Sequence, residues 1–457
     1  MSLLLAYYGD DFTGSTDVME ALSKAGLRTV LFLKPPTAAQ LARYPGLRAL
    51  GIAGGSRTMS PEEMERALPP AFEALRASGA QIIHYKMCST FDSSPTVGSI
   101  GRAIEIGRRV FGDRPTPLVV GAPVLGRYVV FGNLFARSGL DTEPSRLDRH
   151  PTMSRHPVTP MLEADIRLIL AEQTKLPVEL VDVLKLEQNS GSSSCFAAGK
   201  VAPIVLFDTL REEHLPNIGG RIQEMTEGGP LFTVGSSGVE YALTAHWNER
   251  SSTESGRTQR VEQDASVSST TLCFNQPTPQ AVNQIIAVSG SCSPVTDRQI
   301  TRAIAHGFAE IGAGPELLSP SAPIASVLRT ARTLLEQQHS VVIHSSRGPD
   351  DARYDSKLGG EKQSLLGDSL GQILEALLAS SGLRRAVVCG GDTSMHVARA
   401  LGIEALEYVG PIAPGSPLCR IHAPGRIADG CEIVFKGGQV GRDHFFLDVL
   451  HGGPRQT

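Results

Sequence analysis

Strand-like apolar runs alternate with helical patterns along almost the whole chain of 457 residues. This alternation predicts parallel sheets covered by helices, the α/β class. The expected strands are residues 3–8, 29–33, 49–53, 81–85, 118–121, 204–208, 231–234, 285–289, 340–345, 386–389 and 432–436. A polar stretch without periodicity, residues 249–281, is interpreted as a linker or mobile excursion. We therefore predict two α/β domains, over residues 1–248 and 282–457.

The composition excludes several classes of protein. Hydrophobic residues make up 41%, charged residues 20%, and the formal net charge is -4, without the basic excess of nucleic-acid-binding proteins. No apolar stretch approaches the ~20 residues that span a bilayer, and the N-terminus lacks signal-peptide features. The seven cysteines are dispersed with no CxxC pair, which indicates reduced thiols. We expect a cytoplasmic protein that binds neither nucleic acid nor membrane, and a homodimer stays open.

Two adjacent acids follow the first apolar run, in the sequence Asp10-Asp11-Phe12-Thr13-Gly14. Helical spacing begins directly afterwards, so the acids are predicted to lie on a strand-to-helix turn, where α/β proteins bind ligands. Two carboxylates would repel a phosphate there. The turn is better suited to binding substrate hydroxyls or accepting a proton from one. Taken alone, Asp11, Ser15 and Asp17 are explained equally well as helix caps.

Three more predicted strand ends in the N-terminal half carry polar residues. These residues are Ser56, Arg57, Lys86, Ser89, Thr90, Asp92 and Arg127. Carboxyl ends of parallel strands meet at one edge of a sheet, so the set is expected to converge. The cations suit a carboxylate or phosphate, and the hydroxyls suit a polyol, so a small hydroxylated acid satisfies both. For any single member, a solvated charge or a cap is the simpler explanation.

The C-terminal half has three glycine-containing turns at predicted strand ends, residues 288–296, 388–394 and 436–441. Glycines let backbone amides approach phosphate oxygens, and a following helix adds a favourable dipole. Neither a GxxxxGK[ST] nor a GxGxxG motif is present. Glycines are common at such turns, but three in one domain favour a nucleotide.

Two further patterns are weaker. His150 and His156 do not have the spacing of a known zinc-binding motif. They lie in an Arg-rich segment, residues 137–160, which we interpret as a long functional loop or an extension. Its arginines could bind an anionic ligand. Residues 235–238 do not form a GxSxG elbow and are expected to be a ligand-facing turn or a tight connection.

Together these motifs resemble the four-carbon acid sugar kinase family. The matching pieces are residues 10–14, 86–93, 289–296, 390–394, 411–415 and 436–441, in the family's order across nearly the whole chain. The resemblance implies an N-terminal acid-sugar-binding domain, a C-terminal ATP-binding domain, and ATP with Mg²⁺ as cofactors. The implied nucleotide-binding residues are Ser289, Gly290, Ser291, Ser293, Gly390, Gly391, Asp392, Thr393, Pro414, Gly415, Lys436, Gly437 and Gly438. Together with the strand-end residues and the Arg-rich segment described above, the predicted substrate-binding residues are Asp10, Thr13, Gly14, Ser56, Arg57, Ser89, Thr90, Arg127, Arg155 and His156.

Within the family, residues 86–93 and 156–161 look more like the 3-oxo-tetronate kinases than the threonate or erythronate kinases. Residues 141–153 look like an insertion, and residues 163–165 depart from the usual Asp-Ser pair, so a branched acid such as 3-oxo-isoapionate stays open. As catalytic residues we expect Asp11 as the base, Asp92 as the second candidate, and Lys86 on the substrate or phosphoryl group. Asp392 is the expected contact to Mg²⁺ or the ribose. Closure of one domain on the other is expected to exclude water.

Two other classes of function compete with a kinase. A dinucleotide-dependent dehydrogenase of sugar acids would require the missing GxGxxG motif. A non-catalytic acid-sugar sensor would leave the glycine turns of the second domain unexplained.

Overall fold

A computed structural model describes residues 3–138, 142–156, 158–188, 202–259, 279–314, 317, 324–348, 351, 353 and 361–454. These residues fall into two compact units. Unit 1 contains Met1–Gly14, Ala21–Arg28 and Pro35–Asn275, and unit 2 contains Ser15–Glu20, Thr29–Lys34 and Gln276–Thr457, so far as these ranges are described. None of the described helices combines the length and apolar character needed to cross a bilayer.

The strands, numbered along the chain, are β1 (Leu5–Gly9), β2 (Thr29–Phe32), β3 (Ala49–Ala53), β4 (Ile82–Lys86), β5 (Thr116–Val119), β6 (Arg127–Val130), β7 (Asn133–Ala136), β8 (Ser145–Arg146), β9 (Val178–Val181), β10 (Ile204–Phe207), β11 (Leu231–Gly235), β12 (Ile286–Ser289), β13 (Ala309–Gly312), β14 (Val341–His344), β15 (Arg385–Cys389), β16 (Ala405–Ala413), β17 (Ser416–His422) and β18 (Glu432–Lys436).

The α-helices are α1 (Phe12–Lys24), α2 (Ala38–Leu41), α3 (Pro61–Ala77), α4 (Ile100–Phe111), α5 (Ile166–Ala171), α6 (Val183–Gln188), α7 (Leu215–Glu224), α8 (Gly238–Gln259), α9 (Pro294–Ile304), α10 (Ile324–Glu336), α11 (Glu361–Ser381), α12 (Gly391–Ala400) and α13 (Phe445–His451). Short 3₁₀ turns lie at Ser56–Thr58, Pro123–Leu125, Leu147–Arg149, Met153–Arg155 and Glu212–His214.

Unit 1 contains a parallel sheet in the order β3-β1-β4-β11-β5-β10-β9. Its central strands are buried along their whole length, as expected for a sheet covered on both faces. The register pairs Gly9 with Lys86, and Lys86 with Gly235, so the carboxyl ends of β1, β4 and β11 lie at one edge. A separate antiparallel sheet of β6, β7 and β8 takes in part of the segment interpreted as a long loop.

Unit 2 contains a mixed sheet in the order β13-β14-β12-β15-β18-β17-β16-β2. The first five strands are parallel, and their register aligns His344, Ser289, Cys389 and Lys436 at one edge. The last three strands are antiparallel to their neighbours. Leu418 pairs with Val434, so continuing the register places Ser416 opposite Lys436. The hairpin turn before Ser416 therefore lies at the same edge as the carboxyl ends of the parallel strands.

The predicted α/β class with two domains is confirmed, and each expected strand overlaps an observed one. Some boundaries differ. The strand expected at 118–121 begins at Thr116, because Thr116 and Pro117 also pair with β10. The helix expected near Asp297 begins at Pro294, because Ser293 accepts a hydrogen bond from Val295 and caps it.

Several elements were not predicted. Strands β9, β13, β16 and β17 lack a sharp apolar run, and β2, expected with the N-terminal strands, pairs with β16 in unit 2. Helix α8 continues to Gln259, beyond the predicted boundary at residue 248. Residues 260–278 of the expected linker lie outside the described residues, so the domain boundaries stay a prediction.

Candidate functional site

The turn between β1 and α1 presents the two adjacent acids. Asp11 is the N-cap of α1, and its Oδ1 accepts a hydrogen bond from Gly14 N at 2.8 Å. Its Oδ2 accepts a hydrogen bond from Thr13 Oγ1 at 2.9 Å. The predicted strand-to-helix turn is therefore confirmed, and so is the capping role of Asp11. Ser15 and Asp17, the other proposed caps, lie inside the helix.

Arg57 joins both acids. Its Nε and Nη2 donate to the two carboxylate oxygens of Asp10, at 3.2 and 2.8 Å, and its Nη1 donates to Asp11 Oδ2 at 2.9 Å. The backbone supports this arrangement, because Arg57 N donates to Asp10 O at 3.0 Å and Asp10 N donates to Lys86 O at 2.8 Å. A bidentate guanidinium–carboxylate pair is a directional contact. The structure thus commits Arg57 to the acids instead of leaving it wholly available to a ligand.

The two acids have opposite pKa shifts. Burial raises the pKa of Asp10, although Arg57 partly counteracts the shift. Burial also acts to raise the pKa of Asp11, but the charges of Arg57 and Lys86 and the hydrogen bonds from Thr13 and Gly14 lower it overall. Asp11 is therefore a strongly held carboxylate, which is a good hydrogen-bond acceptor and a weak base.

The loop after β4 carries the next predicted residues. Lys86 is buried, and a Cβ atom placed on Gly14 would lie 2.4 Å from Asp11 Oδ1 and 3.1 Å from Lys86 Nζ. Only glycine therefore fits at position 14 without displacing these groups. Ser89 and Thr90 follow in this loop, where Thr90 Oγ1 lies 2.9 Å from Cys88 Sγ.

Cys88 marks the point where the predicted residues converge. Burial raises the pKa of its thiol, Arg57 lowers it, and Asp92 raises it. The thiol in turn affects the pKa of Arg127, whose largest shift comes from burial and is downward. Arg57 and Asp92 therefore act electrostatically on the Cys88 thiol, which in turn acts on Arg127. Hydrogen bonds bring together the ends of β1, β3 and β4, which is the part of the predicted convergence that the geometry confirms.

Arg127 differs from Arg57 in its partners. Within the described residues, its Nη1 donates to backbone carbonyls, those of Leu125 at 3.0 Å, Gly126 at 3.3 Å and Arg137 at 3.0 Å. Its Nε is buried and has no hydrogen-bond partner within the described part of the chain. None of the described carboxylates forms an ion pair with it. An uncompensated guanidinium beside a polar loop is suited to an anionic ligand.

A hydrogen-bonded chain links Asp92 to His156. Thr159 Oγ1 donates to Asp92 Oδ1 at 3.2 Å and lies 2.9 Å from His156 Nδ1. Thr159 N donates to the same Nδ1 at 3.1 Å, which makes that nitrogen an acceptor and leaves Nε2 as the donor in the neutral ring. Arg155, by contrast, is exposed, and among the described residues no side-chain hydrogen bond joins it to Asp92, Thr159 or His156.

Ser56, the turn at residues 235–238 and His150 make contacts that support the fold. Ser56 Oγ is buried and lies 2.9 Å from Tyr85 OH, so it packs beneath the edge of the sheet. In residues 235–238, a Cβ on Gly235 would lie 2.2 Å from Val119 O, and one on Gly238 2.1 Å from Gly121 O. This turn is the tight connection, the second of the two alternatives. His150 Nδ1 likewise accepts backbone hydrogen bonds from Thr152 and Met153, each at 3.2 Å.

In unit 2, the turns after β12 and β18 are joined by hydroxyl groups. Ser291 Oγ lies 3.1 Å from Thr296 Oγ1, and Thr296 Oγ1 donates to Gly438 O at 3.1 Å. Ser293 caps α9. A Cβ on Gly438 would lie 2.9 Å from Ser291 Oγ, so the close approach of the turns depends on glycine.

The turn after β15 belongs to the same edge. Gly390 has a φ of 117°, and a Cβ on Gly290 would lie 2.2 Å from Thr393 Oγ1. Gly391 and Asp392 begin α12, and both are exposed. Lys436 is fully buried, and its Nζ donates to Thr296 Oγ1 at 3.0 Å and to Gly437 O at 3.0 Å. The glycine turns therefore lie together at the edge where α12 begins, and a helix N-terminus is a favourable position for phosphates. The amides of Gly290 and Gly390 donate to Cys389 O and Lys436 O and so hold the turns together.

Pro414 and Gly415 form the hairpin turn between β16 and β17, at the edge that Lys436 shares. Gly415 has a φ of 77°, as the third position of a type II turn after proline requires. Its N–H donates to Glu20 Oε2 at 2.8 Å, so it has a defined structural role within unit 2.

The described residues were compared with the side-chain arrangements that hold metal ions in proteins. Within the described residues, no cluster of three or more His, Cys, Asp or Glu side chains has a metal-binding arrangement. Asp392 is exposed in the first turn of α12, and Mg²⁺ is commonly held by one or two carboxylates together with substrate phosphates.

Sequence reasoning missed a charged cluster at the ends of β13 and β14. His344 Nε2 lies 2.7 Å from Glu310 Oε1, and Arg347 donates to Glu310 at 2.8 Å and to Asp297 at 2.7 Å. Thr159 and Thr296 were also not singled out. The available signal was positional, since His344 lies near the end of a predicted strand and Arg347 follows it, but their partners are distant in the sequence.

Comparisons with known proteins support a sugar-binding N-terminal part and a nucleotide-binding C-terminal part. Residues 5–243 match a family model described as a sugar-binding N-terminal domain, and residues 286–446 match one described as a nucleotide-binding C-terminal domain. A 3-oxo-isoapionate kinase of Paraburkholderia graminis is 45% identical, with 98% of this chain and 94% of that protein covered. A 3-oxo-tetronate kinase of Pseudomonas fluorescens is 29% identical, with 98% and 96% covered.

Two crystal structures have the same fold. A protein of Salmonella typhimurium LT2 has a TM-score of 0.73 and 23% identity, with 98% of each chain covered. A Haemophilus influenzae protein has a TM-score of 0.68 and 21% identity, with 97% of this chain and 98% of that one covered.

The substitution Arg57→Met tests the ion-pair cluster. It should destabilise unit 1 by about 3–5 kcal/mol near pH 7, because Asp10 would remain as a buried carboxylate without its cation. Burial already raises the pKa of Asp10, and loss of Arg57 raises it further, so protonation on lowering the pH should reduce the loss. Urea unfolding at pH 7 and pH 5, followed by fluorescence of Trp247, the single tryptophan, reports on unit 1.

The matched control is Arg76→Met, which removes an exposed ion pair with Glu73. It should change the free energy of unfolding by less than about 0.5 kcal/mol. An equal loss for Arg57→Met at both pH values would contradict the assigned role of Asp10.

Proposed function

Because this chain belongs to the four-carbon acid sugar kinase family, we propose that it transfers the terminal phosphoryl group of ATP to the terminal hydroxyl of a 3-oxo acid sugar. That the chain is an acid sugar kinase follows from the family; the substrate is the proposal. A 45% identical relative is a 3-oxo-isoapionate kinase, whereas the 3-oxo-tetronate kinases of Pseudomonas fluorescens and Salmonella typhimurium are 29% and 27% identical. Branched 3-oxo-isoapionate is therefore the first substrate to test, and linear 3-oxo-tetronate the second.

For unit 1, the proposal depends on the hydrogen-bond partners of Arg127. The substrate is a carboxylate, and Arg57 and Lys86 stand next to Asp10 and Asp11, whose charges offset theirs. Arg127 has carbonyl partners but no described carboxylate partner, so its charge is available to an acid. We assign the substrate carboxylate to Arg127 and the substrate hydroxyls to the acids at the turn.

The roles of the two candidate bases differ. Asp11 accepts hydrogen bonds through both oxygens and has a lowered pKa, so it is suited to orienting the substrate. Asp92 accepts from Thr159 through Oδ1, and its Oδ2 has no hydrogen bond within the described residues. We therefore assign Asp92 as the base that accepts the proton of the reacting hydroxyl. A loose phosphoryl-transfer transition state requires little from the base, so positioning contributes most of the rate enhancement.

The turns of unit 2 are assigned to ATP. A side chain at Gly290 would meet Thr393 and one at Gly438 would meet Ser291, so these glycines let the three turns lie close together at the edge. Asp392 is the protein oxygen suited to Mg²⁺, and the bound ion would neutralise charge on the transferring phosphoryl group. A cytoplasmic location is part of the same proposal, since ATP and reduced thiols are found together there.

A kinase assay over a panel of acids tests the proposal. Threonate, erythronate, 3-oxo-tetronate and 3-oxo-isoapionate would each be incubated with ATP and Mg²⁺, and the products followed by ADP release and ³¹P NMR. We expect a phosphate monoester from the 3-oxo acids, with the highest kcat/KM for the branched one. Reduction of NAD with any of these acids would favour a dehydrogenase, and acid binding without phosphorylation would favour a sensor.

The substitution Arg127→Met should raise the KM for the acid by about 10- to 100-fold while the KM for ATP stays unchanged, because one charge-assisted contact to the carboxylate is lost. Arg76→Met, at an exposed position outside the predicted site, is the control and should leave both constants unchanged. An unchanged KM for the acid in Arg127→Met would remove Arg127 from the substrate site.

The substitutions Asp92→Asn and Asp11→Asn separate the base from the orienting group. Asp92→Asn should lower kcat by about 100-fold or more, the contribution of a general base, with little change in KM. Asp11→Asn should act mainly on KM for the acid. The reverse pattern in steady-state kinetics would make Asp11 the base.

A further inference from the structure

Strands β15 and β18 carry a buried cation at each end of their pairing. At the amino-terminal edge, Arg385 is buried and donates to Glu432 Oε2 at 2.6 and 2.9 Å, so its charge is compensated. At the carboxyl-terminal edge, Lys436 pairs in register with Cys389. The same two strands therefore provide a direct comparison between a cation with a carboxylate partner and one without.

Lys436 is surrounded by neutral groups. Its Nζ donates to Thr296 Oγ1 at 3.0 Å, Gly437 O at 3.0 Å and Gly438 O at 3.4 Å, and lies 5.6 Å from the centre of the Phe445 ring. None of its partners in the described residues is a carboxylate. Burial raises the pKa of the neighbouring Cys389 thiol to about 11, so this group is uncharged near neutral pH.

The contacts of Lys436 reach two turns. Thr296 Oγ1 accepts from Lys436, donates to Gly438 O and lies 3.1 Å from Ser291 Oγ. The ammonium group therefore lies beneath both the turn after β12 and the turn after β18. Three acceptors satisfy its three N–H groups, which favours the charged form but leaves none directed at a ligand.

We propose that Lys436 is a positioning residue whose buried, uncompensated charge is neutralised by the phosphates of a nucleotide bound at the glycine turns, without direct contact between them. A buried charge is costly without an opposite charge nearby. An anion at these turns would supply the negative charge that the described residues around Lys436 lack. Adenosine lacks phosphates, so its binding affinity should not depend on the charge of Lys436. This inference rests on the proposed function, since it deepens the assignment of ATP to unit 2.

Calorimetric titration of ADP and adenosine into the full chain tests the inference. Lys436→Met should weaken ADP binding by about tenfold or more, the effect of removing one unit charge near an anion, and leave adenosine affinity within about twofold. Lys436→Arg, which retains the charge, should bind ADP more tightly than Lys436→Met. The control, Arg385→Met combined with Glu432→Gln, removes a compensated pair at the opposite edge and should alter neither affinity.

The outcomes are distinguishable. Equal losses for ADP and adenosine in Lys436→Met would reduce Lys436 to a structural role, and unchanged ADP affinity would overturn the inference. If the wild-type protein bound neither ligand, the assignment of a nucleotide to unit 2 would itself fail.

A measurement on the wild-type protein covers the case in which Lys436→Met does not fold. Burial lowers the pKa of Lys436, and nearby phosphates favour its protonated form. ADP affinity should therefore fall as pH rises from about 7.5 to 10, whereas adenosine affinity should not. Cys389 is the titratable group facing Lys436 among the described residues, and its pKa of about 11 lies above this range. The same pH dependence for both ligands would contradict the inference.

Discussion

The balance of buried charge at the carboxyl ends of parallel strands is the constraint on which both candidate sites depend. Taking a charge out of water is costly, so each buried cation requires an anion or a set of polar acceptors. In unit 1, Arg57 is held by Asp10 and Asp11, whereas the hydrogen-bond acceptors of Arg127 among the described residues are carbonyls. In unit 2, the acceptors of Lys436 within the described part of the chain are likewise neutral. Arg127 and Lys436 are therefore suited to an anionic ligand.

The strand ends were predictable because their signals are local. Apolar runs followed by acids or glycines predicted the turn at Asp10 and Asp11 and the turns after Ser289, Cys389 and Lys436. The register of parallel strands then brings these ends to one edge, a general property of α/β sheets. The helix cap formed by Asp11 also follows from local chemistry.

The partner of each charged group was not predictable from the sequence. Arg57, a predicted substrate-binding residue, is held by acids 46 and 47 residues away, and the sequence did not indicate these ion pairs. Thr296 contacts Lys436 across 140 residues, and β2 pairs with β16 in unit 2. Such contacts depend on tertiary pairing, which residue patterns do not encode locally. The same limitation hid the contact of Thr159 with Asp92 and the cluster around His344.

The central claim is that the cation lacking a carboxylate partner binds the substrate's carboxylate. A crystal structure of the protein with its preferred acid sugar tests this claim most directly. The account predicts a carboxylate oxygen about 3 Å from the Arg127 guanidinium group, with the hydroxyls towards Asp10 and Asp11. A carboxylate bound elsewhere in unit 1, with Arg127 still donating only to backbone carbonyls, would contradict it.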